Sequence, residues 1–206
     1  MTLVKMCGLH RLEDIAYVNE VGPDMAGMIL VPGFRRSIGE ELAASMLSEL
    51  SESVLSVGVF MDQPIEEVID EAGSLGLSAV QLHGSEDATY IIKLQETLKI
   101  PVIKSFGITA NQLAEAESSP ADMVLIDPGH GSGQSFNLSV LEGFERKIII
   151  AGGLTPENVA DTIRKTHPFG VDASSGIETN GSKDKEKMFR FISAVRAEDA
   201  QKEGKI

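Results

Sequence analysis

Eight short apolar runs that alternate with helical patterns predict an α/β fold of the (β/α)8 TIM-barrel class, in a single domain of residues 1–206. The alternation repeats about every 20 to 25 residues, as expected for successive β–α units. Cys7 and Asp127 end the first and the sixth run. In a barrel both would lie at the C-terminal mouth, where such barrels carry out their chemistry. An open doubly wound sheet is the alternative architecture.

The apolar runs are short and mostly continuous, which is typical of parallel strands covered by helices. We expect strands over Leu3–Cys7, Met25–Val31, Leu55–Met61, Ala79–His83, Pro101–Ser105, Met123–Asp127, Lys147–Ala151 and Phe169–Asp172. Helical patterns predict helices over Arg11–Asn19, Gly39–Leu50, Pro64–Ser74, Glu86–Leu98, Ala110–Glu117, Leu138–Gly143, Pro156–Arg164 and Lys183–Ala197. Thr155 is the expected N-cap of the seventh helix because Pro156 and an acid follow it. The charged residues 198–206 are expected to form a frayed tail.

The composition excludes several classes of function. A formal charge of −13 with no basic stripe argues against a nucleic-acid partner. No apolar stretch approaches the roughly 20 residues that a membrane span needs, and no secretion signal is visible, so we expect no membrane partner. A single cysteine cannot form an internal disulfide, which fits the cytoplasm. Four scattered histidines offer no metal-ligand spacing, so we expect no metal.

Two loops rich in small residues follow the seventh and eighth runs. Gly152 and Gly153 lie in the first, and Asp172, Ser174 and Ser175 lie in the second. Glycines allow a ligand close to the backbone, and a helix start offers unpaired N–H groups to an anion. Barrels of this class often bind phosphate with these two loops, so we expect a phosphate site; simple turn closure is the alternative. A further stretch, Gly131-Ser132-Gly133, is expected to be a mobile loop over the pocket.

Taken together, these motifs resemble the phosphoribosylanthranilate isomerase family over nearly the whole chain. The resemblance rests on six segments in order: Lys5-Met6-Cys7-Gly8, Val57-Gly58-Val59-Phe60, Gln81-Leu82-His83-Gly84, Ile126-Asp127, Ala151-Gly152-Gly153-Leu154 and Val171-Asp172-Ala173-Ser174-Ser175-Gly176-Ile177-Glu178. It implies an Amadori rearrangement of N-(5-phosphoribosyl)anthranilate to 1-(2-carboxyphenylamino)-1-deoxyribulose 5-phosphate in tryptophan biosynthesis. It also implies that no cofactor is used and that the partner is a small phosphosugar.

The resemblance implies roles for particular residues. The general base falls on Cys7 and the general acid on Asp127. The phosphate-binding positions fall on Gly152, Gly153, Asp172 and Ser174, with Ser175 beside them in the same loop. The arginine that holds the anthranilate carboxylate falls on Arg36, since a guanidinium fork suits a planar carboxylate.

Three further residues can be interpreted in two ways each. Arg35 is the rival of Arg36 for the carboxylate. His83, at the end of the fourth run, is expected to contact substrate, with a structural histidine as the alternative. Lys5 shares the strand face of Cys7, and we expect it to form a buried ion pair with Asp172 rather than to contact substrate.

Other functions stay open at this point. Another phosphosugar barrel enzyme is an alternative, either a related aminoaldose–ketose isomerase or a ribulose-phosphate epimerase. The epimerase predicts metal ligands at several strand ends, which this chain lacks. A phosphate-ligand sensor could use the same scaffold, but it would not need an acid–base pair. Phe34-Arg35, His130 and Phe136-Asn137-Leu138 depart from the family pattern in the loops expected to cover the anthranilate end. We expect a monomer or a homodimer.

Overall fold

The computed structural model describes residues 1–128, 141 and 144–203. Eight parallel strands form a closed barrel in chain order, and the last strand hydrogen-bonds back to the first. They are β1 Leu3–Cys7, β2 Met25–Ile29, β3 Leu55–Phe60, β4 Ala79–Leu82, β5 Val102–Phe106, β6 Met123–Ile126, β7 Ile148–Ile150 and β8 Gly170–Ala173. The predicted barrel is therefore confirmed. The open sheet is excluded because it would leave β1 and β8 unpaired.

Each strand begins within one residue of its predicted start, but five strands end one or two residues early. The last predicted residues of these five runs are Val31, Met61, His83, Asp127 and Ala151. All five lie just past the ends of the strands and line the cavity at the barrel mouth, although the N–H groups of His83, Asp127 and Ala151 still bond carbonyls of the neighbouring strands. The predicted runs therefore extend past the strands into residues that form the cavity wall.

The helices pack against the outer side of the barrel, with their apolar residues in one cluster with the outward-facing strand residues. They are α1 Leu12–Val21, α2 Glu40–Glu49, α3 Ile65–Ser74, α4 Ala88–Leu98, α5 Ala110–Ser118, α6 Val159–Thr166 and α7 Lys185–Glu203. The helix predicted over Leu138–Gly143 and the loop at Gly131-Ser132-Gly133 lie outside the described residues, apart from residue 141. No described helix has the length and apolar content that crossing a membrane requires.

Two helix predictions need correction. Regular helix α6 begins at Val159, after a turn over residues 156–158. In this turn Thr155 Oγ1 accepts from the Glu157 N–H at 3.2 Å, and Asn158 Oδ1 accepts from the Thr155 N–H at 2.8 Å. Thr155 therefore caps this turn, and the regular helix begins three residues later than predicted. The tail expected to fray from Glu198 is helical as far as Glu203. Glu198 and Asp199 are buried, where they bind Arg164 and Thr2.

Two features above the barrel core position the site. The lower barrel interior is apolar, and above it a small cluster at the mouth joins Cys7 to Ile29, Val31 and Val59. After β8, residues Ser175–Ile177 form one turn of 3-10 helix. Two short antiparallel strands follow, β9 Glu178–Thr179 and β10 Ser182–Lys183. This small sheet lies beside the mouth and carries two buried charged side chains.

Candidate active site

A cavity of about 980 Å³ opens at the C-terminal ends of the barrel strands. This volume lies at the upper end of the range usual for small-molecule sites. Every residue that the sequence analysis selected for the site lines it: Cys7, Arg36, His83, Asp127, Gly152, Gly153, Asp172, Ser174 and Ser175. Arg35 is exposed and does not line the cavity, so Arg36 is the arginine that faces the site.

Cys7 lies beside a buried ion pair on the inner face of the barrel. The Lys5 Nζ donates to Asp172 Oδ1 at 2.9 Å, which confirms the predicted pair across the β1–β8 junction. Gly27 on β2 leaves room for both residues of β1: a Cβ there would lie 2.8 Å from Cys7 Sγ and 3.1 Å from Lys5 Nζ. Burial lowers the pKa of Lys5, but Asp172 and Cys7 outweigh it and the net pKa is raised. A protonated amine therefore lies next to the thiol.

Asp127 follows β6 and is packed against the loop after β7. Its backbone N–H bonds the Phe106 carbonyl at 2.9 Å, which continues the β5–β6 pairing by one residue. Gly152 has φ +86, and a Cβ there would lie 2.7 Å from Pro128 Cδ and 2.9 Å from Asp127 Oδ1. A glycine at this position thus lets the β7 loop touch the carboxylate that the sequence analysis selected as general acid.

His83 follows β4 in the mouth of the barrel, where its ring is surrounded by protein but open to solvent. Loss of hydration lowers its pKa; Asp127 opposes this shift and Lys5 adds to it, with a net lowering. The ring is therefore neutral at pH 7. Its Nδ1 lies 3.2 Å from Nε2 of Gln81, a buried residue of the same inner strand face. The sequence analysis quoted Gln81 but gave it no place in the site.

Arg36 reaches from the loop after β2 to a buried carboxylate. Its Nη2 donates to Glu178 Oε2 at 2.9 Å, and its Nε lies 2.8 Å from Oε1 without an aligned hydrogen bond. Lys183 Nζ donates to the same Glu178 at 2.7 Å and to the Ser174 carbonyl at 2.9 Å. Burial raises the pKa of Glu178, but Lys183 and Arg36 outweigh this effect and lower it, so Glu178 is anionic.

Sequence analysis missed this network of Arg36, Glu178 and Lys183. Glu178 ends one of the six motif segments, and that was the one available signal. The pairing itself joins residues 142 positions apart in the chain.

The loops after β7 and β8 present unpaired backbone donors to the cavity. The N–H groups of Gly152, Gly153, Ser174, Ser175 and Gly176 bond to no other described residue. A Cβ on Gly176 would overlap the Leu154 carbonyl, so the two loops are in direct contact. Such a cluster of donors suits an anion with several oxygens. Within the described residues, no group of three or more His, Cys, Asp or Glu side chains is arranged to hold a metal ion.

Comparisons with known proteins agree with this geometry. The family model of N-(5'-phosphoribosyl)anthranilate (PRA) isomerase matches residues 4–194. The N-(5'-phosphoribosyl)anthranilate isomerase of Oceanobacillus iheyensis is 37% identical over 204 residues, covering 95% of this chain and 98% of its own.

Two solved structures are also similar. One is phosphoribosyl anthranilate isomerase in complex with reduced 1-(o-carboxyphenylamino)-1-deoxyribulose 5-phosphate, at TM-score 0.86 and 34% identity, covering 96% of this chain and all of that one. The other shows monomers generated from the dimeric Thermotoga maritima phosphoribosylanthranilate isomerase, with the same TM-score, identity and coverage. The chain belongs to the N-(5'-phosphoribosyl)anthranilate isomerase family.

Proposed function

We propose that this chain catalyses the Amadori rearrangement of N-(5-phosphoribosyl)anthranilate to 1-(2-carboxyphenylamino)-1-deoxyribulose 5-phosphate, a step of tryptophan biosynthesis. The observation that carries the proposal is that Cys7 and Asp127 open into one cavity together with unpaired backbone donors of two loops. Membership of the isomerase family over residues 4–194 supports the same substrate. A sensor would need the donors but not the acid–base pair.

Ring opening is the first step. The bond between C1 and the ring oxygen breaks, Asp127 donates a proton to that oxygen, and the nitrogen lone pair forms a C1=N bond. The resulting iminium acidifies the hydrogen on C2, which the thiolate of Cys7 removes. The electron pair left at C2 gives an enolamine. Loss of its hydroxyl proton and uptake of a proton at C1 then produce the ketone. Substrate and product have the same atoms and electrons, so acid–base groups suffice.

Two neighbours support Cys7 in this role. The Lys5 ammonium lies beside the Cys7 sulfur, since a Cβ on Gly27 would meet both side chains. Asp172 orients that ammonium through the 2.9 Å ion pair. An ionised carboxylate has no donor for a phosphate. We therefore assign Asp172 to the support of Lys5 and the phosphate to the backbone donors of Gly152, Gly153, Ser174 and Ser175.

Two further side chains of the cavity are assigned to other parts of the substrate. We assign Arg36 to the anthranilate carboxylate and His83, as a neutral ring, to a hydrogen bond with the sugar. We also propose a cytoplasmic location, on the basis of the single cysteine, and a monomer or homodimer as the active form.

A fluorescence assay tests the proposal. Freshly prepared phosphoribosylanthranilate is mixed with the protein, and loss of the substrate's emission is followed against its spontaneous decay, with the product identified by mass spectrometry. We expect enzyme-dependent conversion to the ketone. Binding of the reduced product analogue without any conversion would instead indicate a sensor, and conversion of ribulose 5-phosphate alone would indicate an epimerase. Either result would overturn the proposal.

A further inference from the structure

We infer that Glu178 is a positioning residue that holds the Arg36 guanidinium, so that the substrate carboxylate is received on the guanidinium's outer edge, formed by its two Nη atoms. The inference rests on the proposed function, because it concerns how that substrate's carboxylate is recognised. Glu178 does not itself touch the substrate, but it sets the orientation of Arg36, which does.

The position of the ion pair supports this role. A guanidinium offers two forks of donors, one formed by Nε and one Nη and the other by both Nη atoms. Glu178 lies against the first fork, with contacts of 2.9 Å to Nη2 and 2.8 Å to Nε. Its side chain is 5% exposed, whereas that of Arg36 is 14% exposed and lines the cavity. The outer fork is thus the one left for a ligand.

The backbone and side-chain conformation of Arg36 also limits where its guanidinium can lie. Its backbone has φ 63, a left-handed conformation that is costly for a residue with a Cβ. From there the side chain crosses Gly8, directly after Cys7, where an added Cβ would lie 3.0 Å from Arg36 Cδ and 3.0 Å from Ser174 Oγ. The Arg36 side chain therefore packs over the loop that follows Cys7, the proposed catalytic base.

Lys183 connects the same carboxylate to the phosphate loop. Glu178 and Lys183 face each other in the register of β9 and β10. The Lys183 ammonium also donates to the Ser174 carbonyl at 2.9 Å. Glu178 carries one negative charge and lies between the positive charges of Arg36 and Lys183. The three side chains together therefore carry one positive charge, which favours binding of the substrate's carboxylate. Lys183 thus keeps its own bond to the phosphate loop, whereas the contacts of Glu178 to Arg36 concern the carboxylate receptor.

Measuring the affinity of the Glu178→Gln variant for two ligands distinguishes a positioning role of Glu178 from a purely structural role. The first is reduced 1-(o-carboxyphenylamino)-1-deoxyribulose 5-phosphate, and the second is the same molecule without its carboxyl group. We expect Glu178→Gln to weaken the first by about tenfold or more, because an orientating charge-assisted contact is lost. It should weaken the second by less than about threefold, because the phosphate contacts remain. KM should rise in parallel, with kcat changed by less than about threefold.

Two further variants serve as controls. Glu86→Gln removes another buried carboxylate of the barrel mouth, which pairs with Lys104 at 3.3 Å and not with Arg36, so any effect should be equal for both ligands. In an Arg36→Met background, Glu178→Gln should produce no further loss for the carboxylated ligand, because both changes remove the same interaction. If Glu178→Gln fails to fold, Glu178→Asp, which keeps the charge but shortens its reach, carries the same comparison.

The outcomes are distinct. Selective loss of the carboxylated ligand supports the inference. Equal loss of both ligands in the Glu178 variant, or no loss of either, overturns it while leaving the proposed function intact. Failure of the unmodified chain to bind either ligand would overturn the proposed function and the inference together.

Discussion

Cys7 and Asp127 owe their places to the ends of β1 and β6, which direct both side chains into the same cavity. We expect Cys7→Ser and Asp127→Asn each to lower kcat by about 10² or more. A serine hydroxyl is a poor proton acceptor at neutral pH, and an asparagine has no acid proton to donate. Binding of the reduced product analogue should be retained, because neither residue is assigned to the phosphate or the carboxylate. Unchanged kcat in either variant would remove that residue from the mechanism.

The lowered pKa of His83 makes a prediction about stability and pH. The unfolded chain, in which histidine has a pKa of about 6.5, binds a proton more readily than the folded protein does. The stability that depends on neutral His83 is therefore complete above pH 6.5 and is lost as the pH falls toward the lowered folded value. We expect the free energy of unfolding to fall less between pH 8 and pH 5 in His83→Gln than in the unmodified protein. Identical pH slopes in denaturant titrations would contradict the lowered pKa.

At the scale of a loop, Gly152 and Gly153 provide a matched comparison after β7. Both have positive φ, so alanine at either position is strained by about 1 to 2 kcal/mol. Only at Gly152 would the new Cβ meet neighbouring atoms, Pro128 Cδ at 2.7 Å and Asp127 Oδ1 at 2.9 Å, whereas nothing lies within 4 Å at Gly153. We expect Gly152→Ala to cost about 1 to 3 kcal/mol more than Gly153→Ala.

We also expect kcat to fall further in Gly152→Ala than in Gly153→Ala, because the Cβ at position 152 displaces the carboxylate of Asp127. Urea titration and kcat of the two variants check both statements. Equal losses of stability and activity would mean that the β7 loop does not set the position of Asp127.

At the scale of the element, the bounds of strands and helices could be predicted wherever the local sequence determines them. Strand starts were placed within one residue, because a continuous apolar run marks a strand buried on both faces. For α6 the Thr-Pro signal located the capping residue, because Thr155 Oγ1 accepts from the Glu157 N–H, but it did not reveal that residues 156–158 form a turn before the regular helix. The end of α7 was misplaced because its charged residues are buried by partners elsewhere in the chain.

At the scale of the whole molecule, α7 ties the end of the chain to its beginning. Asp199 accepts hydrogen bonds from the Thr2 N–H at 2.8 Å and from its hydroxyl at 2.7 Å, just before β1. Asp199→Ala leaves both buried donors without this partner, so we expect a loss of about 1 to 3 kcal/mol in the free energy of unfolding.

Asp161→Ala, which removes exposed ion pairs with Lys165 and Arg164 on α6, is the control, and it should cost less than about 1 kcal/mol. Denaturant titration of both variants measures the difference. Equal small effects would show that the junction between the ends of the chain contributes little to stability.

The amino-acid sequence by itself determined the eight barrel strands and the seven helices of the described residues and, through the family resemblance of its motifs, which side chains line the mouth. It could do so because strand periodicity and the carboxyl end of each strand are local properties, and a barrel brings all such ends to one rim. Lys5 and Asp172 could also be paired in advance, because β1 and β8 must meet when the barrel closes.

Only the tertiary structure decided that Arg36, and not Arg35, faces the cavity, and that Arg36 pairs with Glu178, which Lys183 also binds. The tertiary structure also decided that Gly152 touches Asp127. These contacts join loops that follow different strands, and their geometry depends on backbone angles and burial that no local pattern encodes.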